Sequence, residues 1–427
     1  MSVRGSDAGV VLVDAAEAEG EAVALAVPDD GLAGAGEEVP ERSAGAPAPA
    51  LGEQAAARSA DARTAEARGA RMGGESRCLP MIRAVTHARF GSLVARDLVD
   101  VRVGDEAISA LDGLDGGFWA VVADFEGTVT AARFGRVERR APEAEPTAWA
   151  PVDREWRSSL DHAAYLAGVE EVRRRIEAGT VYQVNLCRVL SHRLEDSADL
   201  DGLAQLLSRG NPAPHAARVN VPEAGLDVVC ASPEAFLLRS GGRLESRPIK
   251  GTAAVLPGML PKDYAENVMI VDLVRNDLHH VCRAGTVRVD HLCAPEAHPG
   301  LVHLVSTVSG ELRPGIRWAD ILEGTFPPGS VSGAPKSSAL TAIRDLEAAP
   351  RGPYCGAIGW VDADRGEAEL AVGIRTFWAE RDADGQRWLR FGTGAGITWA
   401  SGAEAEWEET QLKAARLIGL ASGRVLA

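Results

Sequence analysis

From residue 160 onward, apolar positions follow two alternating periods. Ala164, Leu166, Val169, Val172 and Ile176 recur at helical spacing across residues 160–178. Asp161 is placed to cap that helix and Gly179 to stop it. Residues 181–190, VYQVNLCRVL, alternate as a half-buried strand does, and strand-like runs dominate from there to Glu245. A second helical stretch over 263–281 carries Val268, Ile270, Val271, Val274 and Leu278. A third covers 335–346, with proline at its start. Strands are predicted at 357–362, 369–377 and 388–393, and a closing helix at 402–420. Helices interrupt the strands without strict βαβ alternation, which predicts an α+β protein with large antiparallel or mixed sheets.

Ahead of this region the pattern is weaker. Short β-like runs at 90–95, 118–123 and 129–134 predict a small β-rich amino-terminal lobe over 81–150. It ends in a proline-rich linker, APEAEPTAWAPVD, and the main domain is expected over 151–427. Residues 1–80 are rich in Ala, Gly, Glu, Asp and Pro, and no Phe, Tyr or Trp appears before Phe90. Too little large apolar surface is present there to offset the entropy of ordering, so this segment is expected to be disordered. Met72 and Met81 are alternative starts, a question the intact mass of the native protein answers.

The chain has 427 residues, 46% of them hydrophobic and 25% charged, as an ordinary globular protein has. A net charge of −16 argues against a nucleic-acid surface. No apolar run approaches the roughly 20 residues needed to span a bilayer. The six cysteines show no CxxC spacing and read as free thiols in a reducing cytoplasm.

Lysine usage is the sharpest compositional signal. Only four of the 45 Lys+Arg residues are lysine: Lys250, Lys262, Lys336 and Lys413. Where arginine is the default cation, a retained lysine points to work that guanidinium cannot do, such as nucleophilic attack by a neutral amine. Lys250 lies in SRPIKGT, between a strand-like run and the helix starting near Asp263.

Carboxylates cluster at two helix starts. Glu406 and Glu409 share one face of the closing helix, and Asp263 and Glu266 one face of the earlier helix. Such pairs either hold a hard divalent cation such as Mg²⁺ or are solvated acids favoured by the helix dipole. Glycine-rich PPGSVSGAPK and FGTGAGI offer backbone N–H groups to anions, or simply turn the chain. Neither is a Walker A loop. Glu234 stands beside a strand in ASPEAF, His303 in an apolar strand-like run, and Arg375 in a strand where a buried guanidinium needs an anion.

From about Tyr165 to the carboxyl terminus, the order of YQVNLCR, ASPEAF, RPIKGT, AENVMIVDLVRNDL, VHLVSTVSG, FPPGSVSGAPK, RGPYCGAIGW, GIRTFW, GTGAGI and EAEWEETQLKA resembles the chorismate-utilising enzymes. The resemblance implies a large α+β domain of two packed sheets with helices outside. Gln183 stands where isochorismate and salicylate synthases place a water-activating lysine, so addition of water is not expected. Lys250 stands where anthranilate synthases usually read alanine, and lysine there is typical of aminodeoxychorismate synthase component I.

By that resemblance, Glu234 is the general acid that protonates the C4 hydroxyl of chorismate. Lys250 is the nucleophile that attacks C2, before ammonia attacks C4 and expels it. Free lysine with pKa about 10.4 pays roughly 4.6 kcal/mol to be neutral at pH 7, so the site must lower that value. Glu266, Glu406 and Glu409 match Mg²⁺-site acids, and Asp263 stands where a longer glutamate is common. Tyr354, Arg375, Gly394, Gly396 and Lys413 match positions that hold substrate carboxylates, and His303 and Ser330 match positions near the ring. Arg275, Asn276 and Asp277 read as structural helix contacts. Ammonia is expected from a separate glutaminase subunit. Anthranilate synthase component I is the alternative activity, and a non-catalytic partner binding chorismate or the glutaminase is the alternative of another class. NPAPH at 211–215 departs from the NPSPY by which many relatives bind tryptophan, so tryptophan binding is not expected.

Overall fold

A computed structural model of the protein describes residues 86–423 except 105–109, 112, 140–146, 154, 254 and 299–300. The segment expected to be disordered, and both alternative starts, lie outside the described residues. Every described residue falls in one compact unit, 69–427.

The chain opens with strands β1 (His87–Phe90), β2 (Leu93–Gly104), β3 (Phe118–Ala123), β4 (Val129–Arg139) and β5 (Arg157–Ser158), then helix α1 (His162–Glu177). Next come β6 (Gln183–Arg193), α2 (Leu200–Gly210), β7 (His215–Val221), β8 (Leu226–Ser232), β9 (Ala235–Ser240), β10 (Arg243–Arg247) and β11 (Ile249–Ala253). α3 (Pro261–Val281), β12 (Arg288–His298), β13 (Leu301–Glu311), α4 (Trp318–Thr325), β14 (Gly333–Ala334) and α5 (Lys336–Leu346) follow. β15 (Ala357–Asp362), β16 (Glu367–Val372), β17 (Thr376–Arg381), β18 (Arg387–Ile397) and α6 (Ala403–Ala421) complete the fold.

All described strand pairings are antiparallel. One half of the network runs β13, β10, β9, β16, β15, β3, β4, β2, with β11 and β12 also on β13. The other runs β7, β8, β17, β18, β6. β1 joins them, pairing with both β2 and β7. The halves pack on each other: Val122 of β3, Ile358 of β15, Leu186 of β6 and Ala395 of β18 share one apolar core.

The strands read as an amino-terminal lobe are hydrogen-bonded into this network. β3 pairs with β15 along its whole length, Phe118 opposite Asp362 and Ala123 opposite Ala357. The predicted run 90–95 breaks at Gly91–Ser92 into β1 and β2, and 369–377 breaks before Arg375 into β16 and β17. Two helices escape the periodic reading. α2 is short and carries interior glycine, which hides its Leu200, Leu203, Leu207 stripe. α4 has only eight residues.

The helices that frame the site form where their pattern predicts. Asp161 caps α1, its Oδ1 accepting from Ala164 N at 2.8 Å, and Tyr165, Gly168, Val169 and Val172 face inward. α3 buries Asn267, Ile270, Val271, Val274, Asp277, Leu278 and Val281. That stripe has the 3.6-residue period throughout, but two of its members are polar. α6 buries Thr410, Ala414 and Leu417 on the face it turns inward.

Candidate active site

β11 carries Lys250 to within the electrostatic reach of Glu266 on α3 and of Glu409 and Lys413 on α6. Gly251 lets the strand turn there: its φ is +82°, and a Cβ would lie 2.9 Å from Cβ of Asp263 and 3.1 Å from Leu304. The register against β13 slips between Ile249 and Thr252, a bulge that re-aims the intervening side chains. The Lys250 side chain is half-buried. It ends beside Gly396 of β18, where a Cβ would stand 3.6 Å from Nζ and 2.4 Å from Nε2 of Gln183. Glycine at 396 is therefore what leaves room for this side chain pair.

The charges around Lys250 come from both helices and from the corner between β8 and β9. Burial lowers its pKa from the ordinary lysine value, and Lys413 acts in the same direction. Glu266, Glu234 and Glu409 oppose them, but the net shift is downward. Among the described residues its ammonium has no hydrogen bond or ion pair.

Glu234 follows Pro233 in the corner between β8 and β9 and is 4% exposed. Its backbone is fixed from both sides: its N–H donates to Ser232 Oγ at 3.1 Å, and Val372 N–H donates to its carbonyl at 3.0 Å. Burial pushes its carboxyl up to about 7, against the effects of Ser330, Lys250, the Ile249 backbone and His215. Such a carboxylic acid keeps a proton to give near neutrality. Ser330 is buried in the turn Gly329–Val331. Its hydroxyl lowers the Glu234 value, yet among the described residues Oγ has no hydrogen-bond partner of normal geometry.

His303 of β13 is buried, with Thr252 Oγ1 2.8 Å from its Nδ1. Tyr354 is buried beneath Gly392, its hydroxyl 3.9 Å from Cys187 Sγ. Burial holds its pKa well above the usual range, so it stays a neutral donor. Lys413 donates to Gly394 O at 3.1 Å and pairs with Glu409 at 2.7 Å. Arg375 occupies the corner ahead of β17 with φ +53°, a strained backbone for a non-glycine residue. It has no ion pair among the described residues, and burial together with Arg416 lowers its pKa.

The four acids at the helix starts differ in state. Glu266 is raised by burial and, in part, by Glu409 and Asp263, despite Lys250 and Lys262. Glu406 is raised by burial and Glu409, although Ser401 donates to it at 2.6 Å. Glu409 is lowered by Lys413 in spite of burial. Asp263 accepts from Leu260 N at 2.8 Å and so closes its own helix start. Among the described residues no three acids or imidazoles stand close enough to enclose a metal ion as they are. Yet Glu409 raises both Glu266 and Glu406, and repulsion among oxygen-only donors is what a hard divalent cation relieves. In donor chemistry Glu266, Glu406 and Glu409 fit one, with Ser401 and Lys413 as the partners to be exchanged.

Sequence reasoning missed the groups that hold this site. Asn267 is 1% exposed; its Nδ2 donates to Leu304 O at 2.9 Å and to Lys250 O at 3.4 Å, and its Oδ1 accepts from Ser306 Oγ at 2.5 Å. Arg188 lies over the Trp407 ring at 4.3 Å and reaches Thr410 and Gln411, fixing α6 to β6. The available signal was polarity on a buried period: Asn267 falls on the apolar stripe of α3. Away from these groups, a cavity of about 350 Å³ is lined by residues of β1, α2, β7 and β8 and by Asn211 and Ala213 of the NPAPH segment between α2 and β7. The five cysteines among the described residues are free, and no described helix is long and apolar enough to cross a membrane.

A strand-borne amine of lowered pKa that interacts with a buried acid of raised pKa is the kind of grouping found where enzymes do acid–base and nucleophilic chemistry. Residues 123–419 match the family described as chorismate binding enzyme. Aminodeoxychorismate synthase component 1 of Escherichia coli strain K12 is 32% identical over 348 residues, 77% of this chain and 73% of that protein. Anthranilate synthase component 1 of Aquifex aeolicus is 35% identical over 281 residues, 63% of this chain and 55% of that protein. Among solved structures, anthranilate synthase component I from Streptococcus pneumoniae superposes with a TM-score of 0.64 at 22% identity, covering 81% of this chain and 95% of that one. The chain belongs to the chorismate-binding enzyme family.

Proposed function

We propose that the chain is the synthase component of an aminodeoxychorismate-forming enzyme, acting on chorismate and ammonia in the supply of p-aminobenzoate. The observation that supports this reading is the amine of Lys250, lowered in pKa by burial and within the electrostatic reach of Glu234 and of the acids of two helices. In the first step protonated Glu234 gives its proton to the C4 hydroxyl as neutral Lys250 attacks C2. The ring double bond shifts and water leaves. In the second step ammonia adds at C4, the Lys250–C2 bond breaks, and the surplus proton returns to Glu234. Gln183 cannot act as the base that water addition needs, and it is buried beside Lys250.

Arg375, Lys413, Tyr354 and the backbone at Gly394 and Gly396 hold the substrate carboxylates, and His303 and Ser330 flank the ring. Glu266, Glu406 and Glu409, together with Asp263, would hold Mg²⁺, which would supply charge neutralisation at the ring carboxylate. Relatives named as component 1 support a separate partner, and a glutaminase subunit supplying ammonia fits the chemistry. The test is product identification with chorismate, Mg²⁺ and ammonium. 4-Amino-4-deoxychorismate is expected, and anthranilate formed by this chain alone overturns the reading.

A further inference from the structure

Two polar side chains interrupt the buried stripe of α3. Asn267 is explained by its bonds to β11 and β13. Asp277 has a different neighbourhood. Its Oδ2 accepts from Lys336 Nζ at 2.8 Å, and the same ammonium donates to Thr325 O at 2.8 Å. Asp277 also lines a narrow cavity whose other walls include Glu234 and Ser330, with Ser246 and Val274 between. The cavity has room for about one water molecule. Among the described residues Ser330 Oγ is buried there without a hydrogen-bond partner of normal geometry, and such a hydroxyl is normally satisfied by protein or by ordered water. An internal water needs two to four polar partners, and the hydroxyl and two carboxyls supply three.

We infer that one water occupies this cavity between Glu234, Ser330 and Asp277, and that Asp277 loads Glu234 with its proton through that water while substrate covers the open side of the acid. The inference rests on the reading of Glu234 as the general acid. The transfer balances: an O–H bond of the Asp277 carboxyl breaks as one forms on the water. The water gives a different proton to the Glu234 carboxylate, and the Asp277 carboxylate regains a proton from solvent beside partly exposed Lys336. The direction is downhill, because burial raises Asp277 to about 6 against the pull of Lys336, and Glu234 to about 7. A dianionic substrate raises Glu234 further, so binding draws in a proton just when the front is blocked. The charged groups facing Glu234 are Lys250 and His215, and Lys336 faces Asp277. Asp277 acts through Glu234 and is a positioning residue, beyond the helix contact that the sequence implied.

The test is proton uptake, followed with a pH indicator in stopped flow, when the full-length protein is mixed with chorismate in the absence of ammonium. The wild type takes up a proton and Glu234→Gln does not; uptake that persists in Glu234→Gln overturns the assignment of the acid itself. Asp277→Asn keeps the amplitude and slows the uptake at least about tenfold, whereas an unchanged rate overturns the relay alone. Val274→Leu fills the cavity with the Asp277–Lys336 pair intact, so it decides the matter should Asp277→Asn not fold. It produces the same slowing, and an unchanged rate again overturns the relay. A merely structural Asp277 would lower thermal stability without separating rate from amplitude.

Discussion

Asn267 donates from Nδ2 to the carbonyl oxygen of Leu304 at 2.9 Å, one residue past His303, and the same amide reaches the carbonyl of Lys250. A single buried side chain thus spans from α3 to both β11, which carries Lys250, and β13, which carries His303. Asn267→Leu leaves two buried carbonyls and the Ser306 hydroxyl without their partner. The expected cost is about 1–3 kcal/mol of stability, read by denaturant unfolding. A fall in kcat larger than any rise in KM is expected too, because Lys250 and His303 lose a shared anchor.

The nucleophile is tested directly. Lys250→Ala is expected to lower ammonium-dependent turnover by about 10³-fold or more, and Lys250→Arg equally, since guanidinium does not deprotonate. With chorismate and no ammonium, intact-mass measurement of the wild type is expected to show a species heavier by chorismate less one water. Its absence, with turnover retained in Lys250→Ala, removes the covalent step.

Glu234 is held in an environment that disfavours its charge. Its folded pKa of about 7 stands above the ordinary 4.5, so the folded state binds the proton more tightly than the unfolded chain does. The stability tied to that proton is present below pH 4.5 and is lost as pH rises through about 7. Neutral, isosteric Glu234→Gln does not pay it. Its thermal midpoint is expected to match the wild type near pH 4.5 and to exceed it by roughly 2–5 °C at about pH 8, with activity abolished throughout. An equal or lower midpoint at the alkaline end contradicts the assigned environment.

Metal removal provides a fourth test. EDTA is expected to abolish turnover and Mg²⁺ to restore it. Glu266→Gln and Glu409→Gln are expected to raise the Mg²⁺ concentration for half activity by more than about tenfold. In Glu409→Gln the Lys413 ion pair is lost as well, so KM for chorismate should shift there and not in Glu266→Gln. Retained activity in EDTA sinks the metal role.

Much of this protein can be read along the chain. The helical period of 263–281 and 402–420 places α3 and α6 within a residue or two of where they form. Lysine scarcity singles out Lys250, and the ordered motifs name the family. What the chain alone does not contain is adjacency. β3 pairs with β15 across most of the sequence, and Lys250, Glu234, Gln183 and Gly396 come from four separate segments. A periodic pattern tells which face of an element is buried, but not which distant residue shares that burial. Asn267 and Asp277 look like flaws in an apolar stripe until β13 and Lys336 are set against them. Only packing gives a buried amide its carbonyls and a buried carboxylate its cation, because desolvation and pairing depend on neighbours that the chain brings together by folding.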